Sequence, residues 1–90
     1  SRLNEVYQEL KSKIDTLFDK EENKKSQTLL IKAQRVWIEF RDAECKLSGQ
    51  LERYGGTDNW KLSSSVFCKA GMTQERSLVL EKYLEEINAK

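Results

Sequence analysis

Apolar residues recur every three or four positions through most of this chain, and that period limits the possible folds more than any other feature. In the first segment the repeat predicts one face of an amphipathic helix. Its members are Leu3, Tyr7, Leu10, Ile14 and Leu17, with Val6 and Phe18 beside them. The charged run from Asp19 to Lys25 carries no such repeat and is typical of a frayed helix end or a solvated loop.

A second helix is expected after the charged run, with Ser26 as its N-cap. Its apolar stripe has the clearest period in the chain, which predicts a face covered by neighbouring helices. The stripe consists of Leu29, Ala33, Val36, Phe40, Ala43 and Leu47, with Leu30, Trp37 and Leu51 alongside. The glycine pair Gly55-Gly56 ends this helix.

A third helix is expected to begin between Asp58 and Ser63, because several capping residues lie there. Its apolar positions are Val66, Phe67, Ala70, Val79, Leu80, Tyr83, Leu84 and Ile87. No strand-like alternation of useful length occurs. The sequence therefore predicts an all-α fold, an antiparallel bundle of about three helices, as one domain over residues 1–90.

Composition excludes several classes of protein. The net charge of +1 is unlike the clustered basic excess of a nucleic-acid binder. The chain has no histidine, which excludes Ser-His-Asp and Cys-His catalysis and the usual imidazole metal ligands. No apolar run approaches the roughly 20 residues of a transmembrane helix. We therefore expect a protein that is not an enzyme, holds no cofactor or metal, and contains no transmembrane segment.

Two cysteines, Cys45 and Cys68, can form a structural disulfide or remain as two buried thiols. They lie about ten residues before and about twelve residues after the glycine pair. In antiparallel helices those offsets differ by only a few ångströms of rise, which favours a Cys45–Cys68 disulfide. A disulfide in turn indicates an oxidising compartment outside the cytosol. The chain opens on Ser1 without an initiator Met, as expected of a trimmed or mature chain, so the lack of a visible signal sequence or lipid anchor does not argue against export.

Residues 34–45 read Gln-Arg-Val-Trp-Ile-Glu-Phe-Arg-Asp-Ala-Glu-Cys. They resemble the Gln-x-x-Trp-x-x-Phe/Tyr-Arg-Asp-x-x-Cys segment of the lysozyme inhibitor LprI-like family, small helical proteins of bacterial envelopes. The similarity extends upstream to the Leu-Asn-x-x-Tyr pattern at Leu3, Asn4 and Tyr7. Downstream it includes the glycine pair, Cys68 and the Thr-x-x-Arg-x-x-x-Leu pattern of Thr73, Arg76 and Leu80.

The resemblance implies a non-catalytic, periplasmic or secreted binding protein whose partner is a lysozyme or another secreted enzyme. In that role the chain would block the partner's cleft. The alternative is a structural or accessory envelope module that associates through its helices. An uncovered apolar face on the first helix would favour this alternative, since large apolar patches rarely stay exposed. A third possibility, small-molecule binding between the helices, requires a sizeable pocket. The sequence does not indicate the oligomeric state.

The family motif itself has a structural interpretation. Trp37 and Phe40 lie on the apolar stripe, where core packing is the expected role of aromatic side chains. Arg41, Asp42 and Arg76 predict a carboxylate–guanidinium cluster that links the second and third helices, with ligand binding as the alternative. Asp42 and Glu44 are two residues apart on a helix, so their carboxylates point to different faces and make a poor catalytic pair.

The turn between the second and third helices is the best candidate for partner recognition. Aromatic and adaptable polar side chains on a loop are typical of binding surfaces. The candidates are Arg53, Tyr54, Asp58, Asn59 and Trp60. The alternative is a plain connection with Trp60 packed on the core.

Overall fold

The computed structural model describes residues 2–55 and 65–89, and all regular structure in them is helical. Helix α1 spans Arg2–Ile14, α2 spans Lys20–Gly55 and α3 spans Ser65–Asn88. Cys45 of α2 and Cys68 of α3 form a disulfide with a Cα–Cα distance of 5.6 Å. The predictions of an all-α fold and of this disulfide are confirmed. The expected start of the third helix falls among residues 56–64, outside the described residues.

Asn23 organises the tight connection between α1 and α2. Its side chain is buried, and Nδ2 donates hydrogen bonds to the carbonyl oxygens of Asp15 and Phe18, each at 2.9 Å. The Phe18 amide donates to Asn23 Oδ1 at 2.8 Å. One amide group thus satisfies three backbone groups that the end of α1 leaves without helical partners.

The prediction that the second helix begins near Ser26 was wrong, because α2 begins six residues earlier, at Lys20. Asp19 is the actual cap: its Oδ1 accepts a hydrogen bond from the Glu22 amide at 2.9 Å. Glu21 and Glu22 lie in the first turn, where the helix dipole favours negative charge. The charged run is therefore helical and not a loop, since an exposed first turn needs a cap but no apolar residue.

The hydrophobic core lies where all three helices overlap. Helix α1 contributes four buried side chains, α3 two, and α2 a single one. The buried cluster consists of Leu3, Val6, Leu10, Ile14, Leu30, Leu80 and Leu84, with Tyr7, Trp37 and Ile87 packed against it. An ion pair between Arg2 and Glu81 joins α1 to α3 at the edge of this core. The apolar face of α1 is thus covered within one molecule.

The molecule is long for its size. Its principal extents are 54 × 21 × 17 Å, and its radius of gyration of 16.5 Å exceeds the roughly 12 Å of a compact domain of this length. A 36-residue helix is about 54 Å long, so α2 sets the long dimension. We call α1, residues 20–36 and residues 77–88 the core end. Residues 37–55 and 65–76, where α2 and α3 continue without α1, are the disulfide end.

Candidate binding surface

The disulfide end brings α2 and α3 together around two sulfur-containing contacts. Cys45 is 1% exposed, and its sulfur lies 3.8 Å from the sulfur of Met72. Nine residues farther along α3 from Cys68 in the direction of the core end, Ser77 is buried and its hydroxyl donates to the Thr73 carbonyl oxygen. Sulfur-containing side chains therefore occupy the interior of the described part of this end, in place of the leucines of the core end.

Three motif residues form a chain of polar contacts beside the disulfide. The Arg41 guanidinium lies 5.3 Å from the centroid of the Trp37 ring, within the range of a cation–π interaction. Arg41 also contacts Asp42 Oδ1 at 3.0 Å, and Lys69 of α3 approaches the same oxygen at 3.6 Å. The hydrogen bond from Arg41 lowers the pKa of the Asp42 carboxyl, and the charges of Arg41 and Lys69 act in the same direction.

The predicted cluster of Arg41, Asp42 and Arg76 does not form as expected. Arg76 Nε instead donates to Gln34 Oε1 at 3.0 Å. Gln34 lies eight residues before Asp42 on α2, about 12 Å along the helix axis. The cation that joins α3 to Asp42 is Lys69, a residue the sequence analysis missed because no pattern within one helix sets the register between two helices.

The apolar stripe of α2 is largely exposed, contrary to the prediction that neighbouring helices cover it. Leu29 is 66% exposed, Phe40 55%, and Val36 and Leu47 52% each. Ala33 and Ala43 of the same stripe are exposed as well. The face of α2 that meets the other helices is instead the one with Asn23, Leu30 and Cys45, about a third of a turn away. Trp37 is half-buried against the core, while Phe40 points to solvent.

Two open grooves border this stripe. The first, of about 410 Å³, lies at the core end between Leu29, Ile14, Tyr83 and Ile87. The second, of about 540 Å³, lies at the disulfide end and is lined by Phe40, Leu47, Leu51 and Met72, with Glu44 and Glu75 among the lining residues. Both are open to solvent, so they are surface features and neither is an enclosed small-molecule cavity.

Two of the residues predicted to recognise a partner lie at the end of α2, which we call the tip of the disulfide end. Arg53 and Tyr54 belong to the last residues of α2, eight and nine positions after Cys45. Asp58, Asn59 and Trp60 lie outside the described residues. Their role in recognition stays a prediction, and so does the alternative that Trp60 packs on the core.

Acidic and sulfur-containing side chains do not gather into a metal site anywhere in the described ranges. Across residues 2–55 and 65–89, no helix has both the length and the apolar character needed to cross a bilayer. Asp42 and Glu44 contact different surroundings: Asp42 meets Arg41 and Lys69, whereas Glu44 lines the groove beside Phe40. The two carboxylates therefore do not converge on one point.

Comparison with known proteins agrees with the motif. A family model described as "Lysozyme inhibitor LprI" matches residues 1–80. An uncharacterized protein of Rhizobium meliloti (strain 1021) is 41% identical over 56 residues, which are 62% of this chain. The matched region is 38% of that relative's length. No solved structure matches the chain. With 80 of its 90 residues matched, the chain belongs to the lysozyme inhibitor LprI family.

Proposed function

We propose that this protein is a non-catalytic binding protein of the bacterial envelope or the secreted fraction, which blocks the cleft of a lysozyme or another secreted enzyme. Membership of an inhibitor family over residues 1–80 is the observation that carries this proposal. Inhibition by steric exclusion requires a surface that fits the partner and no reacting group on the inhibitor.

The tip of the disulfide end is the proposed contact surface. The Cys45–Cys68 bond joins α2 and α3 shortly before α2 ends at Gly55. A segment whose two flanking helices are joined covalently loses less conformational freedom on binding, which favours affinity. We propose that Arg53, Tyr54, Asp58, Asn59 and Trp60 contact the partner, with the two aromatic side chains contributing most.

The proposed location follows from the same bond. Disulfides persist in oxidising compartments such as the bacterial periplasm and the extracellular space, and are rare in the cytosol. Retention of the Cys45–Cys68 bond in protein isolated from the envelope fraction with thiols blocked would support this location. A reduced pair in such a sample would argue against it.

The experiment is a titration of a lysozyme with the purified, oxidised protein, followed by calorimetry and by the rate of cell-wall lysis. We expect a saturable complex and a falling lysis rate. Tyr54→Ala and Trp60→Ala should each weaken the complex by about tenfold or more, as aromatic hot-spot residues do. Phe18→Ala is the matched control, because Phe18 is an aromatic residue 56% exposed at the opposite end of the molecule. Absence of both a complex and an effect on lysis would contradict inhibition of that enzyme.

The second candidate is a structural or accessory envelope module that associates through its helices. The sequence analysis tied this alternative to an uncovered face on the first helix, but that face is buried. The exposed stripe of α2 is the observation that now favours it. A module of this kind would retain its helix-mediated association when Trp60 is replaced, whereas an inhibitor that acts through the tip would lose its partner.

A further inference from the structure

The exposed stripe of α2 has the spacing of a coiled-coil seam. Its members lie at alternating steps of four and three residues, which is the a/d pattern of a heptad repeat. Leu29, Val36 and Ala43 occupy d positions, and Ala33, Phe40 and Leu47 occupy a positions. A strict repeat of this kind predicts contact with one further helix, because a helix covered on several sides shows a wider apolar face.

Nothing within the described part of the molecule covers this seam. Four of its six side chains are large apolar residues more than half exposed, over about 27 Å of helix from Leu29 to Leu47. Contiguous apolar surface of this extent is uncommon on monomeric soluble proteins and marks an interaction site.

We propose that the seam is the interface of a symmetric dimer, in which α2 packs antiparallel against α2 of a second copy. The sizes of the side chains support this occupant. When Phe40 faces Ala43 of the second copy, two-fold symmetry also places Ala43 against the second Phe40, and Val36 lies opposite Leu47 on both sides. Each large ring then meets a small side chain, which is the alternation that close packing requires.

The charges beside the centre of the seam are self-complementary in the same register. Glu39 and Lys46 are exposed residues at g positions, and the g positions of two antiparallel helices face each other. Pairing Phe40 with Ala43 brings Glu39 opposite Lys46 of the second copy, twice per dimer. At the ends of the seam the same register brings Lys32 opposite Arg53. Sliding one helix by a heptad, so that Ala33 faces Ala43, brings Glu39 opposite Glu39 and Lys46 opposite Lys32. Like charges then meet, so the charge pattern disfavours that register.

The dimer also has a consequence for the tips. In the antiparallel arrangement the two α2 helices cross near residues 41 and 42, so their Gly55 ends point in opposite directions, about 40 Å apart. In the same register, position 54 lies opposite Leu29 of the second copy, which places Tyr54 at the end of the seam. The dimer rests on the exposed seam over residues 29–47 and enzyme binding rests on family membership, so either proposal can hold when the other fails.

Analytical ultracentrifugation of the oxidised full chain over a dilution series tests the proposal. We expect a monomer–dimer equilibrium that Phe40→Glu shifts to monomer. Leu78→Glu is the matched control, since Leu78 is 59% exposed on α3 and lies off the seam. Both are surface replacements, so circular dichroism should show folded helices for both. A monomer at every concentration of the unaltered protein would overturn the proposal, as would loss of the dimer in the Leu78 variant alone.

Charge reversal tests the register. Glu39→Lys and Lys46→Glu should each weaken the dimer by about tenfold, because each places like charges opposite one another twice. The double variant restores opposite charges and should dimerise about as well as the unaltered protein. A double variant as weak as the single ones would overturn the antiparallel pairing of these two residues.

Discussion

At the core end, α2 and α3 pack with a third helix around a cluster of leucine, valine and isoleucine side chains. At the disulfide end the same two helices continue without that third partner. There they are joined by the Cys45–Cys68 bond, the Met72 contact and the exposed pairing of Asp42 with Lys69. The comparison shows that one helix pair can be held by burial of apolar surface in one half and by a covalent bond in the other.

Replacing a fully buried leucine should strongly destabilise the core end. Leu80 is 0% exposed, and Leu80→Ala should lower the free energy of unfolding by about 3 kcal/mol through lost burial and the remaining cavity. Urea denaturation followed by circular dichroism measures this loss. Leu78→Ala, two residues away and exposed, should change stability by less than about 0.5 kcal/mol. Equal losses for the two variants would contradict the assignment of the core.

Removing the disulfide should destabilise the disulfide end. The bond closes a loop with a sequence separation of 23 residues, which corresponds to about 3 kcal/mol in the chain-entropy model. Cys45→Ala/Cys68→Ala should therefore lose helical signal in circular dichroism before any denaturant is added. The denaturation transition of the helical structure that remains should keep its midpoint. Reduction of the unaltered protein is the control, and it should give the same signal if the bond, and not sulfur packing, is responsible.

The turn that attaches α1 to α2 should depend on one amide side chain. Asn23→Ala leaves the Phe18 amide and two carbonyl groups without their partner, which should cost about 2 kcal/mol. Thermal unfolding measures this effect. Lys24→Ala is the control, because the neighbouring side chain is exposed and should be nearly neutral. A neutral Asn23 variant would show that the apolar contacts of α1 alone hold the hairpin.

The smallest expected effect is a gain of stability at the disulfide end. Gly49 lies inside α2, and a Cβ atom added there would meet nothing within 4 Å. Gly49→Ala should stabilise the helix by about 1 kcal/mol, since glycine costs that much in a helix interior. The thermal midpoint of the oxidised protein should rise. Gly71→Ala in α3 offers the same open space and should act in the same direction.

Periodicity predicted the helical fold well because helices are local structures. The spacing of Leu3, Val6, Leu10 and Ile14 predicted one apolar face of a helix, and that face is buried in the structure. The N-terminal start of α2 was not predicted, because the Asp19 cap and the buried Asn23 lie in a run that is otherwise highly charged and resembles a loop. Capping bonds of this kind depend on individual side chains and leave no repeat in the sequence.

The candidate surface was harder to predict than the fold. The repeat of Leu29, Val36 and Phe40 predicted a face covered by neighbouring helices, but the structure leaves these three side chains more than half exposed. Similarly, Arg76 has the residue type expected of a partner for Asp42 but bonds to Gln34 instead. Contacts between helices depend on their relative register, which periodicity within each helix does not specify.

Hydrogen exchange, read residue by residue in the oxidised and reduced protein, tests most directly whether the two ends are held by different means. We expect reduction to lower protection at the disulfide end, residues 37–55 and 65–76, by about a hundredfold, the equivalent of about 3 kcal/mol. Amides of the core end, in α1 and around Leu80 and Leu84, should keep their protection. An equal loss at both ends would show a single cooperative unit and contradict this account.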